Sequence, residues 1–384
     1  MISAWPREGE PNGGACRYTK GLAHVLSSIA EVIVLADASE TRDGGVIVRS
    51  AWRPPVLSAR TFRAALSSLA PDVVHVQHEL ALYGSALSTL AFPFWLRAIA
   101  RRFPTVVTVH GVVSPQSMKG DLFRGRTLPV VGYGAAAAMR VVFREIARAP
   151  ALKIVHGAAL ADALIRYGAP AGDVAVSPII ATFKARAPSQ KAARRRLGIA
   201  RDAKVVLTWG FLNTYKGFDC VIDGFSLFAQ SEPNAVLLFA VAPHPSLHRN
   251  GAHARELLAL RGRARGMGGL ATAGFISDDE LATYISAADV GVFAYTREIA
   301  ASGAVADTVA NGTPVLLSSV FRDAPAELTF ASRPHDLARR LAEFFAAPQG
   351  VIRASAGLVA KRNDERAREA HRAIYARAVA RARA

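Results

Sequence analysis

Short apolar runs alternate with amphipathic segments along nearly the whole sequence, and this alternation limits the possible folds more than any other feature. The apolar runs are continuous and are not interrupted at every second residue, as Thr105–Val109, Val205–Trp209 and Ala235–Val241 illustrate. Continuous apolar strands separated by helices are typical of a parallel sheet that helices cover on both faces. We therefore predict an α/β fold made of Rossmann-like, doubly wound sheets.

The length of the chain indicates two such domains, because 384 residues exceed one ordinary hydrophobic core. The alternation is interrupted between Thr182 and Gln190, where the sequence turns polar and contains Pro188. We predict an N-terminal domain over residues 1–182, a C-terminal domain over 183–360 and a basic helix over 361–384. The two domains are expected to face a central cleft, a usual ligand site, and the last helix to pack back toward the N-terminal domain.

Cysteine content and hydropathy indicate the compartment. The two cysteines, Cys16 and Cys220, lie far apart in the sequence, which favours a reducing compartment over a disulfide framework. The segment Met1–Gly14 has no apolar core of the kind a signal peptide needs, and no uncharged stretch reaches the length of a membrane span. We therefore expect a cytoplasmic protein.

The formal net charge of +17 raises the question of an acidic partner, which could be nucleic acid, an anionic membrane surface or an acidic substrate. Three basic clusters are predicted to be exposed helix faces: Lys191 with Arg194–Arg196, then Arg261 with Arg263 and Arg265, and the tail Lys361–Arg383. None has the interleaved aromatic residues of a platform for single-stranded nucleic acid. We expect no nucleic-acid partner, and a peripheral contact with the inner face of an anionic membrane stays open. The run Phe92–Trp95 is either a core helix or an apolar surface that touches an acceptor or lipid.

The stretch Phe293–Leu316 predicts a strand, a polar loop, a helix and a second strand. Open α/β sheets bind ligands where strands end and helices begin. If Ser302 and Gly303 start the helix, its free amides form an anion site that a phosphate can approach closely. Asp307 follows about one turn later and could accept a ribose hydroxyl. The alternative is a serine–glycine helix start that binds nothing.

Three further positions carry candidate chemistry at predicted strand ends. Lys216 lies in a loop that opens a helix, where its ammonium could hold a diphosphate or remain solvated. Gly13 and Gly14 would let the backbone approach a ligand. His110 ends a strand above the expected ligand crevice, so it is either a donor or general acid or a surface residue that caps a turn.

Several other chemistries are not supported by the sequence. It has no Walker loop, no Gly-x-Gly-x-x-Gly fingerprint and no Gly-x-Ser-x-Gly elbow. His75, His78 and Glu79 fall on a strand and loop, so they lack the helical geometry of a zinc protease. We expect no metal site.

The order and spacing of several motifs together resemble the family 4 glycosyltransferases, which have the GT-B fold and retain anomeric configuration. The motifs are Asn12-Gly13-Gly14 with Tyr18 and Thr19, Asp72–Glu79, Val107–Gly111, Trp209–Gly217, Gly274–Leu281, Ala287–Val290, Glu298–Asp307 and Gly312–Val315. The resemblance covers nearly the whole chain.

The resemblance implies a UDP- or GDP-sugar as donor, no required cofactor or metal, and an acceptor hydroxyl on a saccharide, a lipid-linked glycan or a small molecule. It also implies a role for each matching residue. Those roles are Gly13 and Gly14 near the donor phosphates and acceptor, His110 and Glu298 on the transferred sugar, Lys216 on the diphosphate, the amides of Ser302, Gly303 and Ala304 on the phosphate, and Asp307 on the ribose.

The sequence departs from the family pattern at the diphosphate and at the second acid. Phe211 follows Gly210 where the family usually has an arginine, so one cation is missing or is supplied by another residue such as Arg297. Asp307 stands where glutamate is usual, and the usual spacing counts back to Ile299 instead of Glu298. Two alternatives stay open: a nucleotide-sugar epimerase or hydrolase on the same fold, and a basic protein that binds nucleic acid or a membrane surface.

Overall fold

A computed structural model describes residues 1–7, 13–80, 82–112, 129–181, 188–243, 251–271, 276–297, 302–360 and 364–383, with the side chains of 129–133 and 135 not described. The chain forms two compact units. Unit 1 comprises Met1–Glu8, Asn12–Ile180 and Asp364–Ala384, and unit 2 comprises Gly9–Pro11 and Ala181–Asn363. The domain boundaries predicted after residues 182 and 360 fall on or beside 182–187 and 361–363, which lie outside the described residues, so these boundaries stay predictions.

Unit 1 contains seven named strands in its described part. They are β1 (Val32–Ala36), β2 (Thr41–Asp43), β3 (Val46–Ser50), β4 (Val74–His78), β5 (Thr105–Val109), β6 (Leu152–Val155) and β7 (Val174–Val176). Its helices before the unit boundary are α1 (Gly14–Leu26), α2 (Arg60–Leu69), α3 (Ala86–Ala100), α4 (Pro129–Arg148) and α5 (Ala158–Arg166). The strands form two groups in the orders β1-β3-β2 and β4-β5-β6-β7. All pairings are parallel except that of β2 with β3.

The first residues of the chain connect the two strand groups of unit 1. Ile2 forms parallel bridges to Leu35 on β1 and to Val76 on β4. The strand segment that precedes the glycine turn at Gly13 is therefore very short. The carboxyl end of that short strand therefore leads toward α1, as it does in a doubly wound sheet.

Unit 2 contains one sheet of six parallel strands in its described part. They are β8 (Lys204–Phe211), β9 (Ala235–Ala242), β10 (Leu270–Ala271), β11 (Val290–Phe293), β12 (Val315–Ser318) and β13 (Thr329–Phe330). Its helices are α6 (Gln190–Leu197), α7 (Phe218–Ala229), α8 (Gly251–Gly266), α9 (Asp278–Ala287), α10 (Gly303–Ala310), α11 (Pro334–Ala346) and α12 (Gln349–Ala360).

The strand order of unit 2 is β10-β9-β8-β11-β12-β13, which is the order of a doubly wound nucleotide-binding sheet. From β8 the chain first moves outward on one side to β9 and β10, and it then returns to place β11 on the other side of β8. The topological switch point therefore lies between β8 and β11. Such a point opens a crevice at the carboxyl ends of the two strands.

The last helix, α13 (Asp364–Arg383), packs on unit 1 as the sequence predicted. Its buried residues Ile374 and Ala378 form one apolar cluster with Val106, Leu152 and Ile154 of the sheet. The arginines of this helix are mostly exposed, so its basic face is separate from its packing face. Burying the apolar stripe of an amphipathic helix is what holds such a segment on a sheet.

Two of the arginines predicted to lie on exposed helix faces are buried instead. The Arg194 side chain forms an ion pair with Asp289 at 2.8 Å and donates to backbone carbonyls of Ala287, Arg201 and Ala203. Arg261 donates to the carbonyl of Val241. The prediction was wrong here because both guanidinium groups satisfy backbone oxygens inside unit 2, which a helical pattern of charges does not reveal. Part of the positive charge is therefore structural.

Two further expectations about composition can be compared with the described residues. Cys16 and Cys220 are both free thiols. Within the ranges that the structure describes, no helix is both long and apolar enough to cross a bilayer.

Candidate functional site

Lys216 lies at the carboxyl end of β8, in a short 3-10 turn over Thr214–Lys216 that leads into α7. The turn is closed by Gly217, whose φ of +64° is in the left-handed region. A β-carbon at Gly217 would meet the carbonyl oxygen of Ala294 at 1.9 Å. Only glycine therefore lets this loop come close to the chain that leaves β11.

The Lys216 ammonium lies directly over the end of its own strand. A β-carbon on Gly210, which has a φ of +132°, would come within 2.6 Å of Nζ. Nζ also lies 5.5 Å from the ring centroid of Tyr295. Burial lowers the pKa of Lys216, and only nearby Tyr215 acts in the opposite direction. This lysine is half-buried, and among the described residues no carboxylate forms an ion pair with it.

Ser302 is the N-cap of α10, as the sequence predicted. Its Oγ accepts from the backbone amide of Val305 at 3.4 Å and lies 2.9 Å from the phenolic oxygen of Tyr295. The amides of Gly303 and Ala304 have no acceptor among the described parts of the chain. Open space surrounds the Gly303 α-carbon where a side chain would project. This helix start thus presents amide donors that no described residue accepts from, together with the positive end of a helix dipole.

Tyr295 brings the two loops together. Its ring contacts Lys216 on one side, and its hydroxyl reaches Ser302 on the other. The backbone amide of Thr296 donates to the carbonyl of Tyr215 at 2.8 Å, which ties the loop after β11 to the loop after β8. The structure therefore places Lys216 and Ser302 at the same carboxyl edge of the sheet, beside the switch point.

Arg297 adds a second cation to this edge. Its guanidinium lies 4.4 Å from the ring centroid of Tyr215, the residue before Lys216. The arginine is exposed, and within the described residues it forms no ion pair. Arg297 was the residue named from the sequence as a substitute for the arginine that Phe211 replaces.

The two acidic candidates of this loop and helix are placed differently. Glu298 lies outside the described residues, as does Ile299, so its role stays a prediction. Asp307 is on α10 with 2% of its surface exposed. Its backbone carbonyl accepts from the Asn311 side chain at 2.8 Å. The proposed contact of Asp307 with a ribose also stays a prediction.

Unit 1 carries a second group of candidates at the carboxyl ends of its strands. Gly13 is the N-cap of α1 and Gly14 is its first residue, and no described residue lies within 4 Å of the point where a side chain would project from either α-carbon. Tyr18, one turn further along α1, packs its ring edge-to-face on His110 at 4.8 Å and against His156 at 4.9 Å. The structure thus links the glycine turn to His110 through one buried tyrosine.

Both ring nitrogens of His110 already have protein partners. Nε2 lies 2.9 Å from Oε1 of Gln77 on β4, and Nδ1 lies 3.0 Å from Nε2 of His156 at the end of β6. His156 in turn places Nδ1 3.0 Å from the carbonyl of Ser177. Burial, with contributions from His156 and His78, holds the pKa of His110 well below its usual value. Both ring nitrogens of His110 are therefore in hydrogen-bond contact with the protein, and burial disfavours the protonated form of the ring.

The polar contacts continue from Gln77 to the last helix. Its Nε2 lies 3.2 Å from Nε2 of His75, which is also 2.7 Å from the Thr108 hydroxyl. His75 places Nδ1 2.7 Å from the hydroxyl of Tyr375 on α13. The same contacts occupy both nitrogens of His75, and His78 packs its ring 4.5 Å from Phe92. In the described ranges no three His, Cys, Asp or Glu residues are grouped so that they could hold a metal ion.

Three residues of these sites were not identified from the sequence. Tyr295 follows an apolar strand and resembles a core residue. Gln77 lies within a motif that was read for its histidines. His156 ends β6 in the same way that His110 ends β5, so equal attention to every histidine at a strand end could have found it.

A family model and a curated protein each match part of the chain. Residues 12–179 match the family model described as Glycosyltransferase Family 4. Mannosylfructose-phosphate synthase of Agrobacterium fabrum is 34% identical over 128 residues, which are 33% of this chain and 27% of that protein. The chain thus matches about a quarter of the length of this curated relative.

Solved structures resemble the chain over nearly its whole length. Sucrose-phosphate synthase from Thermosynechococcus elongatus has a TM-score of 0.68 at 16% identity, covering 99% of this chain and 96% of that one. HepE from Anabaena, solved in complex with UDP-glucose, has a TM-score of 0.66 at 15% identity, covering 96% and 97%. The fold predicted from the sequence, with two Rossmann-like units of the GT-B type, is confirmed, and so is the resemblance to family 4-like glycosyltransferases.

Proposed function

We propose that this family 4-like protein with the GT-B fold transfers a sugar from a nucleoside-diphosphate sugar to an acceptor hydroxyl with retention of anomeric configuration. One observation carries the proposal: Lys216 and Ser302 both contact Tyr295 beside the switch point of unit 2. Within the described residues the ammonium has no carboxylate partner and the first amides of the helix have no acceptor, and both groups are suited to an anionic ligand.

The chemistry requires such a site because the bond to the leaving group breaks heterolytically. The anomeric carbon gains positive charge, and the nucleoside diphosphate leaves with additional negative charge. Cations and aimed amides stabilise that negative charge most when they are fixed before the reaction. The Tyr295 contacts fix both Lys216 and the start of α10, so little reorganisation is needed.

The leaving diphosphate has several donors available in unit 2. Lys216 would contact one phosphate as a compact charge, and the amides of Ser302, Gly303 and Ala304 would contact the other. Arg297, stacked on Tyr215, would supply the cation that Phe211 does not. Because these groups provide the positive charge, the proposal requires no metal or other cofactor.

The remaining roles follow the resemblance. Gly13 and Gly14 leave open space for phosphates and acceptor, Glu298 contacts the donor sugar, and Asp307 accepts a ribose hydroxyl. His110 contacts the transferred sugar. The leaving phosphate itself is the base in this proposal.

The donor is proposed to be a UDP-sugar or a GDP-sugar carrying a hexose. HepE of Anabaena was solved with UDP-glucose, which favours UDP as the first donor to examine. The acceptor is a saccharide, a lipid-linked glycan or a small molecule. The names of two similar proteins, mannosylfructose-phosphate synthase and sucrose-phosphate synthase, favour a phosphorylated sugar among these.

Product analysis tests the proposal against an epimerase or a hydrolase. The protein is incubated with UDP-glucose or GDP-mannose, with and without a panel of sugar phosphates, and the products are separated by mass. A transferase yields a glycosylated acceptor together with free UDP or GDP. Two outcomes would contradict the proposal. One is conversion of the nucleotide sugar to an isomer when no acceptor is present, and the other is release of free sugar as the only product with every acceptor in the panel. The anomeric configuration of the product, determined by NMR, tests retention.

We also propose a peripheral contact between unit 1 and an anionic membrane at the inner face. Leu87, Leu90 and Phe94 are 64%, 41% and 67% exposed on α3 and follow helical spacing, so they form one apolar face. Arg101 and Arg102 are exposed at the end of the same helix. Apolar residues beside arginines match the interface of an anionic bilayer. Phe92 and Trp95, by contrast, are buried core residues.

A further inference from the structure

Two buried carbonyl groups lie just beyond the end of β11, where the chain leaves the sheet of unit 2. They belong to Ala294 and Tyr295, the two residues that follow Phe293. Side-chain hydroxyls donate to both, from Ser318 to the Tyr295 carbonyl at 2.7 Å and from Ser332 to the Ala294 carbonyl at 3.2 Å. The donor and acceptor roles are fixed in both contacts, because a carbonyl oxygen can only accept.

Ser318 belongs to the sheet itself. It is the last residue of β12, and it pairs with Phe330 in the ladder to β13. Of its surface, 0% is exposed. A fully buried hydroxyl does not reach a bound ligand, so any effect of Ser318 on the candidate site must pass through Tyr295.

The turn after β12 also contacts the ring of Tyr295. The backbone amide of Phe321 donates to the Ser318 carbonyl at 3.1 Å, which closes this turn. The centroid of the Phe321 ring lies 5.0 Å from that of the Tyr295 ring. From the loop after β8, the Tyr215 ring meets the Tyr295 ring edge-on at 5.5 Å. One turn therefore contacts both the backbone and the ring of Tyr295, and it comes from the strand on the opposite side of β11 from Lys216.

These contacts matter because Tyr295 supports the two groups that we propose for the diphosphate. Its ring lies 5.5 Å from Nζ of Lys216, and its hydroxyl lies 2.9 Å from Oγ of Ser302. A ligand-binding group is held precisely only when neighbours that do not contact the ligand lock it in place. Without the Ser318 hydroxyl a buried carbonyl loses a donor, and the chain after β11 is then free to shift.

We propose that Ser318 and Phe321 are positioning residues that hold Tyr295 and, through it, Lys216 and Ser302. The importance of this arrangement for diphosphate binding rests on the proposed function. The placement of the Tyr295 ring beside the Lys216 ammonium does not rest on it and can be measured without a ligand.

NMR titration of the lysine side chains in the full-length protein, without nucleotide, tests the proposal. The chain has eight lysines, and Lys216→Arg assigns the signal of Lys216. Burial lowers the pKa of Lys216 below 10.5, and the titratable side chains beside it in the described part of the chain are Tyr215 and Tyr295, with Arg297 stacked on Tyr215. In Ser318→Ala a shifted Tyr295 should let water reach the ammonium, so the midpoint should rise toward 10.5. An unchanged or lower midpoint would overturn the proposal.

Two controls separate positioning from a general loss of stability. Thr313→Val removes a hydroxyl that donates to the Ile285 carbonyl at 2.7 Å, at the opposite edge of the same sheet, and it should leave the Lys216 midpoint unchanged. Burial lowers the pKa of Lys153 in unit 1 to about 8, and the midpoint of Lys153 should be the same in every variant. A rise of the Lys216 midpoint in Thr313→Val as large as that in Ser318→Ala would contradict the proposal.

A second variant covers the case in which Ser318→Ala fails to fold. Phe321→Leu keeps an apolar side chain and loses the ring contact with Tyr295, so the Lys216 midpoint should again rise. Phe344→Leu, which replaces a buried ring on α11, is its control. No rise in Phe321→Leu, or the same rise in both variants, would overturn the proposal.

Nucleotide affinity provides a second readout, which depends on the proposed function. If the chain binds UDP, Ser318→Ala should weaken binding about three- to tenfold, the scale of one hydrogen bond. The same substitution should have a smaller effect in a Tyr295→Phe background, because both changes act through one residue. Additive effects of the two substitutions would show that Ser318 acts by another route and would contradict the proposal.

The two readouts separate the failure of this proposal from the failure of the proposed function. If no nucleotide binds but the Lys216 midpoint rises in Ser318→Ala and not in Thr313→Val, the proposed function fails and the positioning role stands. If UDP binds and Ser318→Ala changes neither the midpoint nor the affinity, the proposed function stands and the positioning role fails.

Discussion

The phenolic oxygen of Tyr295 lies 2.9 Å from Oγ of Ser302, which ties the end of β11 to the first turn of α10. The same ring lies 5.5 Å from Nζ of Lys216, which comes from the neighbouring strand end. One buried aromatic side chain therefore positions both groups that we propose for binding the leaving diphosphate. Burial raises the pKa of Tyr295 to about 12, so its hydroxyl stays neutral.

Removing this hydroxyl should weaken nucleotide binding and leave the fold intact. The variant Tyr295→Phe keeps the ring beside Lys216 and loses one hydrogen bond, so we expect the affinity for UDP to fall by about 0.5–1.5 kcal/mol. Tyr284→Phe, which removes a hydroxyl from α9 in the same unit, is the control. Calorimetric titration measures both, and equal affinity of the two variants for UDP would argue against the role of Tyr295.

A methyl group at Gly217 should destabilise unit 2. Gly217→Ala places a β-carbon 1.9 Å from the Ala294 carbonyl oxygen at a positive φ. We therefore expect the free energy of unfolding to fall by about 1–3 kcal/mol. Gly262→Ala in α8 meets nothing within 4 Å and should be neutral or stabilising by up to about 1 kcal/mol. Chemical denaturation distinguishes the two, and the account requires that Gly217→Ala be the less stable.

Nucleotide affinity should depend on pH through Lys216. Burial lowers the pKa of this ammonium, and an anionic ligand stabilises its charged form. The affinity for UDP should therefore fall as the pH rises through that lowered pKa, below the ordinary lysine value of 10.5. In Lys216→Arg the fall should be absent, because guanidinium keeps its charge.

Calorimetric titration with UDP between pH 7.5 and 10 compares the unsubstituted protein with Lys216→Arg. Ionisation of the nucleotide base affects both proteins equally, so the difference between them reports on Lys216 alone. The same pH dependence in both would mean that the ammonium does not contact the ligand.

The exposed face of α3 should bind anionic vesicles. The double variant Leu87→Ser with Phe94→Ser removes two apolar side chains, each worth roughly 1.5–3 kcal/mol when fully buried, so binding should fall at least tenfold. Leu258→Ser with Ile352→Ser changes two exposed apolar residues of unit 2 and should have no effect. Co-sedimentation compares vesicles that contain phosphatidylglycerol with vesicles of phosphatidylcholine alone. Equal binding by all three proteins would rule out this face.

Much of the fold could be predicted because a strand that is buried on both faces of a sheet appears in the sequence as a continuous apolar run. All five residues of β5, Thr105–Val109, are buried, and the predicted strand has the same bounds. The short edge strand β2, Thr41–Asp43, has no such apolar run, because its residues are polar and largely exposed. The order of the strands also could not be obtained from the apolar runs, because pairing depends on contacts distant in sequence.

The candidate site was predictable to the level of strand ends and no further. Lys216 and Ser302 were assigned to helix starts after different strands, and the structure brings them to one edge. Tyr295 was missed because an aromatic residue after an apolar strand looks the same whether it packs in a core or orders a site. Arg194 was predicted to be exposed because its partner, Asp289, lies 95 residues further along the chain. Both errors concern tertiary contacts that no local pattern encodes.

The most direct test of the account is the calorimetric affinity of the unmodified protein and of Lys216→Ala for UDP and GDP at pH 7.5. A charge-assisted hydrogen bond is worth about 1.5–3 kcal/mol, so the account predicts that at least one of the two nucleotides binds and that the substitution weakens it about 10- to 150-fold. Binding of neither nucleotide, or equal affinity of the two proteins, would contradict it.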